Sequence, residues 1–147
     1  KTNHLPPVNE DNKIKVLLYY YNPSLDKDES NNILCSEKGL VAIEREIPFT
    51  KTPIKDTLNF LLRGKENLSP EDLNKGITTE FPLEGFILEE VNLKPDGTLI
   101  LKFDDSLNKT SGGSCRVNIL WRQIEKTAKQ FKEVKKVEFL PEGLFQP

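Results

Sequence analysis

The sequence predicts an α+β domain with elements in the order β-β-α-β-β-α-β, two helices packing on one face of a mostly antiparallel mixed sheet. Short β-branched and aromatic runs are interleaved with segments of helical apolar spacing. Their order departs from strict strand-helix alternation, which favours α+β over a doubly wound parallel sheet. Leu, Ile, Val and Phe supply about 31% of the chain, well above the roughly 20% below which sequences tend to stay disordered. At 147 residues the chain suits one domain with a tail. We read 1–12 as a flexible N-terminal linker and 13–147 as a single domain.

The linker reading rests on Pro6-Pro7 and on Asn9-Glu10-Asp11-Asn12, which lack periodicity. Ile14 to Tyr21 is β-branched and aromatic, ends at Asn22-Pro23, and forms the first strand. Asp26 to Asn32 is polar and is expected to be an exposed excursion. From Ile43 to Ile47 apolar and charged residues alternate until Pro48, as in a half-buried second strand, with Glu44 and Glu46 on the wet face. Thr52-Pro53 supplies an N-cap and a first-turn proline. Ile54, Thr57, Leu58, Leu61 and Leu62 then recur at helical spacing up to Gly64.

Ser69-Pro70-Glu71-Asp72 repeats the cap-plus-proline signature ahead of Gly76 and marks a short further turn of helix. Thr78 to Gly85 returns as loop. Phe86 to Leu93 and Thr98 to Phe103 flank Lys94-Pro95-Asp96-Gly97, where proline pre-sets the turn and glycine accepts positive φ. Ser114 is placed to cap a long helix with the apolar stripe Val117, Leu120, Trp121, Ile124, Ala128 and Phe131. Its other face carries Arg122, Lys126, Lys129 and Lys132. Val134 to Leu140 closes the order as a last strand.

Charge and composition exclude several functions. Lys and Arg number 21 against 23 Asp and Glu, a net charge of -2, so no global field recruits nucleic acid or an anionic membrane. The only histidine, His4, lies in the linker, which removes most histidine-based catalysis and most zinc sites. No apolar run approaches the 18 or more residues of a membrane span. The chain opens Lys1-Thr2-Asn3 and contains no methionine, so we expect an upstream segment to have been removed. Its two cysteines fit either one disulfide or two unrelated thiols.

Each candidate for chemistry has a plainer counterpart. Gly113, Ser114 and Arg116, at the start of the long helix, are candidate anion binders, because free helix amides, a serine and an arginine can hold negative charge. A flexible turn entering a capped helix has the same composition, and the Lys-Ser/Thr ending of a P-loop is missing. Cys115 as nucleophile has no evident base. Asp26-Lys27-Asp28-Glu29-Ser30 resembles the opening of a calcium loop, but Asn31 stands where such loops need glycine. Asp104-Asp105 and Glu44/Glu46 suit a solvated face better than an acid-base pair. The basic face Arg122, Lys126, Lys129 and Lys132 reads as a solvated helix face, and also as the candidate interaction face. No metal site and no cofactor are expected.

Several signatures, in this order, resemble the GerMN domain family of sporulation and spore germination proteins. They are the strand ending Tyr19-Tyr20-Tyr21, Arg45-Glu46-Ile47-Pro48 leading to Leu61-Leu62-Arg63-Gly64, and Gly76-Ile77-Thr78-Thr79-Glu80-Phe81-Pro82. The Leu99 to Asp104 strand follows. Gln123-Ile124, Thr127, Phe131, Val134 and Val137 come next, with Glu142-Gly143 where the family usually shows Asp-Gly. Cys35 and Gly113-Ser114-Cys115-Arg116 look like a cysteine-bearing branch, in which the resemblance implies that Cys35 pairs with Cys115. Such a bond would place the chain outside the cytoplasm. The resemblance further implies a fold like the ring-building motif and a bacterial cell-envelope protein, often a lipoprotein anchored through its N-terminal side. It implies no enzymatic activity; we expect a partner that is another envelope protein or a second copy, engaged through the edge of the first or last strand or through the exposed face of the Arg122 to Lys136 segment. The rival expectation is an envelope small-ligand or anion binder, or an enzyme, using the Ser111 to Arg116 turn.

Overall fold

Alternation of side chains builds the first sheet. Lys13–Tyr21 (β1) turns Val16, Leu18 and Tyr20 inward and leaves Lys13 and Lys15 in solvent. Leu40–Pro48 (β2) buries Ile43 and Ile47 and exposes Glu44 and Glu46. The two strands pair antiparallel from Lys13↔Pro48 to Tyr21↔Leu40. The computed structural model describes residues 12–147; His4 and the linker expected over 1–12, apart from Asn12, lie outside the described residues.

The first helix, α1 (Pro53–Leu62), buries Thr57, Leu58 and Leu61. Thr52 holds the cap position without capping: its hydroxyl bonds the Asp56 carboxylate at 3.2 Å instead of a helix amide. A tight turn at Gly64 follows, with φ +60. A Cβ there would lie 1.9 Å from the Phe81 carbonyl oxygen, so only glycine fits. In α2 (Pro70–Asn74), Ser69 and Asp72 form a complete capping box.

Phe86–Leu93 (β3) and Thr98–Asp105 (β4) form the expected hairpin, closed by Gly97 at φ 93 and by the Gly97 amide donating to the Lys94 carbonyl at 2.9 Å. The long helix α3 (Ser114–Lys129) then crosses to Lys136–Leu140 (β5), which pairs parallel with β4. That parallel pairing requires a long crossover, and α3 provides it.

The α+β class and the element order are as the sequence predicts, with α2 as the short extra turn. The strands differ from the expectation in falling into two sheets, β1-β2 and β3-β4-β5. The cause is on the outer edge of β1. There the Leu17 amide donates to Gln130 Oε1 at 2.9 Å, and Gln130 Nε2 donates to the Leu17 carbonyl at 2.7 Å. The Tyr19 amide donates to Thr127 Oγ1 at 3.1 Å. Tyr21 exchanges two backbone bonds with Thr78. Side chains at the end of α3 and one loop residue therefore satisfy the groups that another strand would need.

Both sheets nevertheless share one apolar core. Leu18 and Tyr20 of β1, Leu61 of α1, Leu99, Leu101 and Phe103 of β4, and Leu120 and Ile124 of α3 belong to a single buried cluster. Phe86 stacks on Phe103 at 4.4 Å between centroids, and Phe145 closes edge-on against Phe139 at 4.9 Å.

Candidate functional site

The connection between β1 and β2 is fixed from inside by an acid. Asp26, expected in an exposed excursion, is 0% exposed. Its carboxylate accepts from the Tyr21 hydroxyl at 2.6 Å, the Ser36 amide at 2.8 Å and the Ser36 hydroxyl at 2.5 Å. Burial opposes its ionisation, but the Ser36 and Tyr21 hydrogen bonds outweigh that effect and hold the carboxyl below its ordinary range. Asp28 faces outward and gathers the amides of Ser30 and Asn32 into a turn. The two acids that resemble a calcium-loop opening thus point opposite ways. Among the described residues no cluster of three His, Cys, Asp or Glu is placed to hold a metal ion.

This connection is stapled to the start of α3. Cys35 and Cys115 form a disulfide across 80 residues of sequence, with their Cα atoms 5.2 Å apart. Cys35 sits in left-handed backbone at φ 57. Next to it, the Ser36 hydroxyl accepts the Lys38 amide and starts the turn Glu37–Gly39 that leads into β2.

The candidate anion turn is arranged differently from the sequence expectation. Ser114 does not cap α3: Gly113, at φ 84, is the cap residue, and no side chain bonds the first amides. The consecutive positive-φ glycines, Gly112 and Gly113, move the helix start so that Ser114 lies inside its first turn. Arg116 donates from Nε to Glu80 at 2.8 Å, from Nη1 to the Ser111 carbonyl at 2.9 Å and from Nη2 to the Lys109 carbonyl at 2.6 Å. These bonds tie the turn together and set the Glu80 carboxylate against the cation. Asp105 is similarly occupied, accepting the amides of Lys109 and Thr110 and the Thr110 hydroxyl.

The basic face of α3 is where cations remain open. Lys126 and Lys129 are exposed and Arg122 is half-buried; Lys132, expected on this helix face, is exposed but lies past the helix end at Lys129, in the turn before β5, together with Phe131 of the expected apolar stripe. The Arg122 guanidinium stacks over the Trp121 ring at 4.6 Å, and the Lys126 ammonium lies 5.3 Å from the Tyr19 ring centre. Lys129 pairs with Glu125 at 3.7 Å. The opposite face carries Gln123 and Thr127, both 0% exposed, which the apolar-stripe reading passes over. Gln123 Oε1 accepts from Thr79 Oγ1 at 2.8 Å, and its amide nitrogen donates to the Ile119 carbonyl. A signal for them exists in the sequence: Gln123, Thr127 and Gln130 recur at i, i+4, i+7, a polar seam running beside the apolar stripe.

These features define an α+β domain of two sheets joined by one long helix, stapled by a disulfide and presenting a basic helical face. The chain belongs to the Germane family, described as sporulation and spore germination, whose model matches residues 17–145. It is similar to the solved tandem GerMN domains of the sporulation protein GerM from Bacillus subtilis, with 19% identity and a TM-score of 0.57. That match covers 99% of this chain and 45% of the tandem structure, so the chain spans less than half of it. It is also similar to the first GerMN domain of the same protein, with 20% identity, a TM-score of 0.57, and coverage of 88% of this chain and 84% of that one. These likenesses show the fold. A comparison with curated proteins gives no match.

Proposed function

We propose that residues 13–147 act as a non-catalytic interaction domain on the extracytoplasmic side of a bacterial cell envelope, docking on another envelope protein or on a second copy through the exposed face of α3. The observation that carries this reading is the Cys35–Cys115 disulfide, because such bonds form and persist in oxidising compartments. Membership of a sporulation family supports it. So does the use of Asp26, Asp105 and Arg116 as structural ties instead of groups facing a substrate. Of the two sheet edges expected to dock, those of the first and last strands, the outer edge of β1 is closed by Gln130 and Thr127, while β5 is an edge strand of its sheet. The α3 face carrying Lys126 and Lys129, with Lys132 in the turn that follows it, remains exposed. Among the described residues no helix is long and apolar enough to cross a membrane.

The test is the thiol state inside cells. Acid-quenched cells are alkylated before and after reduction, and the intact mass of the protein is measured. The reading predicts that both cysteines accept alkylating reagent only after reduction. Two thiols labelled before reduction would contradict it.

A further inference from the structure

We propose that β5 is a docking edge for a second copy of this chain, the two strands pairing antiparallel about a two-fold axis at Val137. The surface is separate from the α3 face, and the proposal stands or falls without it.

Two sheets have four outer edges, and three of them are closed. β1 is bonded to Gln130, Thr127 and Thr78. β2 is crossed by the Arg45 side chain, which donates to the Glu44 carbonyl and onward to the Asn67 carbonyl and the Asp72 carboxylate. It ends in Pro48, which has no amide to donate. In β3 the register shifts between Leu88 and Glu90, and Glu89 and Glu90 stand adjacent and exposed. Bulges and edge charges of this kind keep a strand from accepting another.

β5 has no such guard along its centre. The Lys136 amide donates to the Gly97 carbonyl at 3.2 Å. Bonding residues alternate along a ladder, so Glu138 and Leu140 also turn their backbone toward β4. Val137 and Phe139 turn theirs to the open side, where among the described residues nothing bonds them.

Charge selects the occupant and its register. Lys136 and Glu138 share the outer face of β5, both exposed, and meet at 3.2 Å. With the axis at Val137, Lys136 of each copy stands opposite Glu138 of the other, and four charges alternate across the seam. An axis at Glu138 would instead set two glutamates face to face. Val137 exchanges its N–H and C=O with its counterpart, and two three-stranded sheets join as one of six strands. The pairing is closed by its symmetry, and the guarded β3 edges stop growth beyond two copies.

Sedimentation equilibrium of the oxidised full chain, up to about 1 mM, should show a monomer–dimer equilibrium. Hydrogen exchange at the Val137 amide should slow as the dimer fills, while the Glu138 amide, bonded to β4 in both states, is unchanged. Lys136→Glu and Glu138→Lys should each weaken self-association by about tenfold or more. An equimolar mixture of the two variants should associate as tightly as the wild type, because each supplies the charge the other needs. Both substitutions are on exposed side chains, so the fold is kept.

A chain that stays monomeric throughout, association unmoved by Lys136→Glu, or a mixture no tighter than either variant alone would overturn the proposal. Association that survives both β5 variants and is lost in Arg122→Glu/Lys126→Glu would seat the second copy on α3, overturning this proposal and leaving the α3 reading intact.

Discussion

Removing the staple has a calculable cost. The Cys35–Cys115 bond spans 80 residues, and in the chain-entropy account closing such a loop in the denatured state is worth about 4.5 kcal/mol. Part of this returns on cutting, because Cys35 is held at φ 57 and its release relaxes about 1 kcal/mol of backbone strain. The net expectation for Cys35→Ser/Cys115→Ser is a loss of about 3–4.5 kcal/mol, a drop in Tm of about 6–18 °C. A domain of ordinary stability, about 5–15 kcal/mol, tolerates this and stays folded. The Asp26 network continues to hold the β1–β2 connection.

Urea titration followed by the fluorescence of Trp121, the only tryptophan, measures the loss directly. The m-value should rise as well, since the uncrosslinked denatured chain exposes more surface. Each single serine variant should match the double variant within about 0.5 kcal/mol, because all three remove the same bond. A loss below about 1 kcal/mol with unchanged m would refute the reasoning.

Three further outcomes follow from the packing. Asp26→Ala should cost about 3–5 kcal/mol, because it strands the Tyr21 and Ser36 donors in a buried site, with Asp26→Asn milder. The Asp26 carboxyl titrates below its ordinary 3.8 when folded, so its contribution is complete above that value and fades as pH falls through the folded pKa. The stability gap between wild type and Asp26→Asn, followed by denaturant titration at descending pH, should therefore narrow in acid; a gap that widens would contradict this. Gln130→Ala should cost about 1–3 kcal/mol by stranding the Leu17 amide and carbonyl, and light scattering should detect self-association through the opened edge of β1. In Gly64→Ala a Cβ would meet the Phe81 carbonyl at φ +60, so thermal unfolding should show a loss of about 3 kcal/mol or more.

What could be read from the sequence was what local chemistry decides. Pro95 and Gly97 specify the β3–β4 turn by themselves, and Ser69 with Asp72 specifies the start of α2. The stripe Val117, Leu120, Ile124 and Ala128 fixes the inward face of α3 because helical period alone sorts it. Partnerships made by the fold stayed hidden. Gln130 and Thr127 look like solvent-facing polar residues until α3 is laid along β1, and only then does the division into two sheets follow.

Asp26 reads as a surface acid because Tyr21 and Ser36, which make its burial tolerable, are assembled by the β1–β2 connection. Ser114 has the right chemistry for a cap, but two positive-φ glycines before it supply the turn and displace it. Within the candidate site, the run of cations along α3 was visible as spacing. That Arg122 alone among them would have a buried, unpartnered Nε was not, since its environment comes from Trp121 and from the stapled turn before β2.

The claim that this domain works by docking through α3 is tested most directly by site-specific photocrosslinking in living cells. A photoreactive benzoylphenylalanine is placed at Lys129, at Lys132 and, as a control on another exposed surface, at Leu73 of α2. The account predicts one discrete adduct from Lys129, at the end of α3, and one from Lys132, in the turn after it, both lost when Arg122→Glu and Lys126→Glu are added, and none from Leu73. Adducts from Leu73 alone, or adducts from α3 that survive the charge reversals, would contradict it.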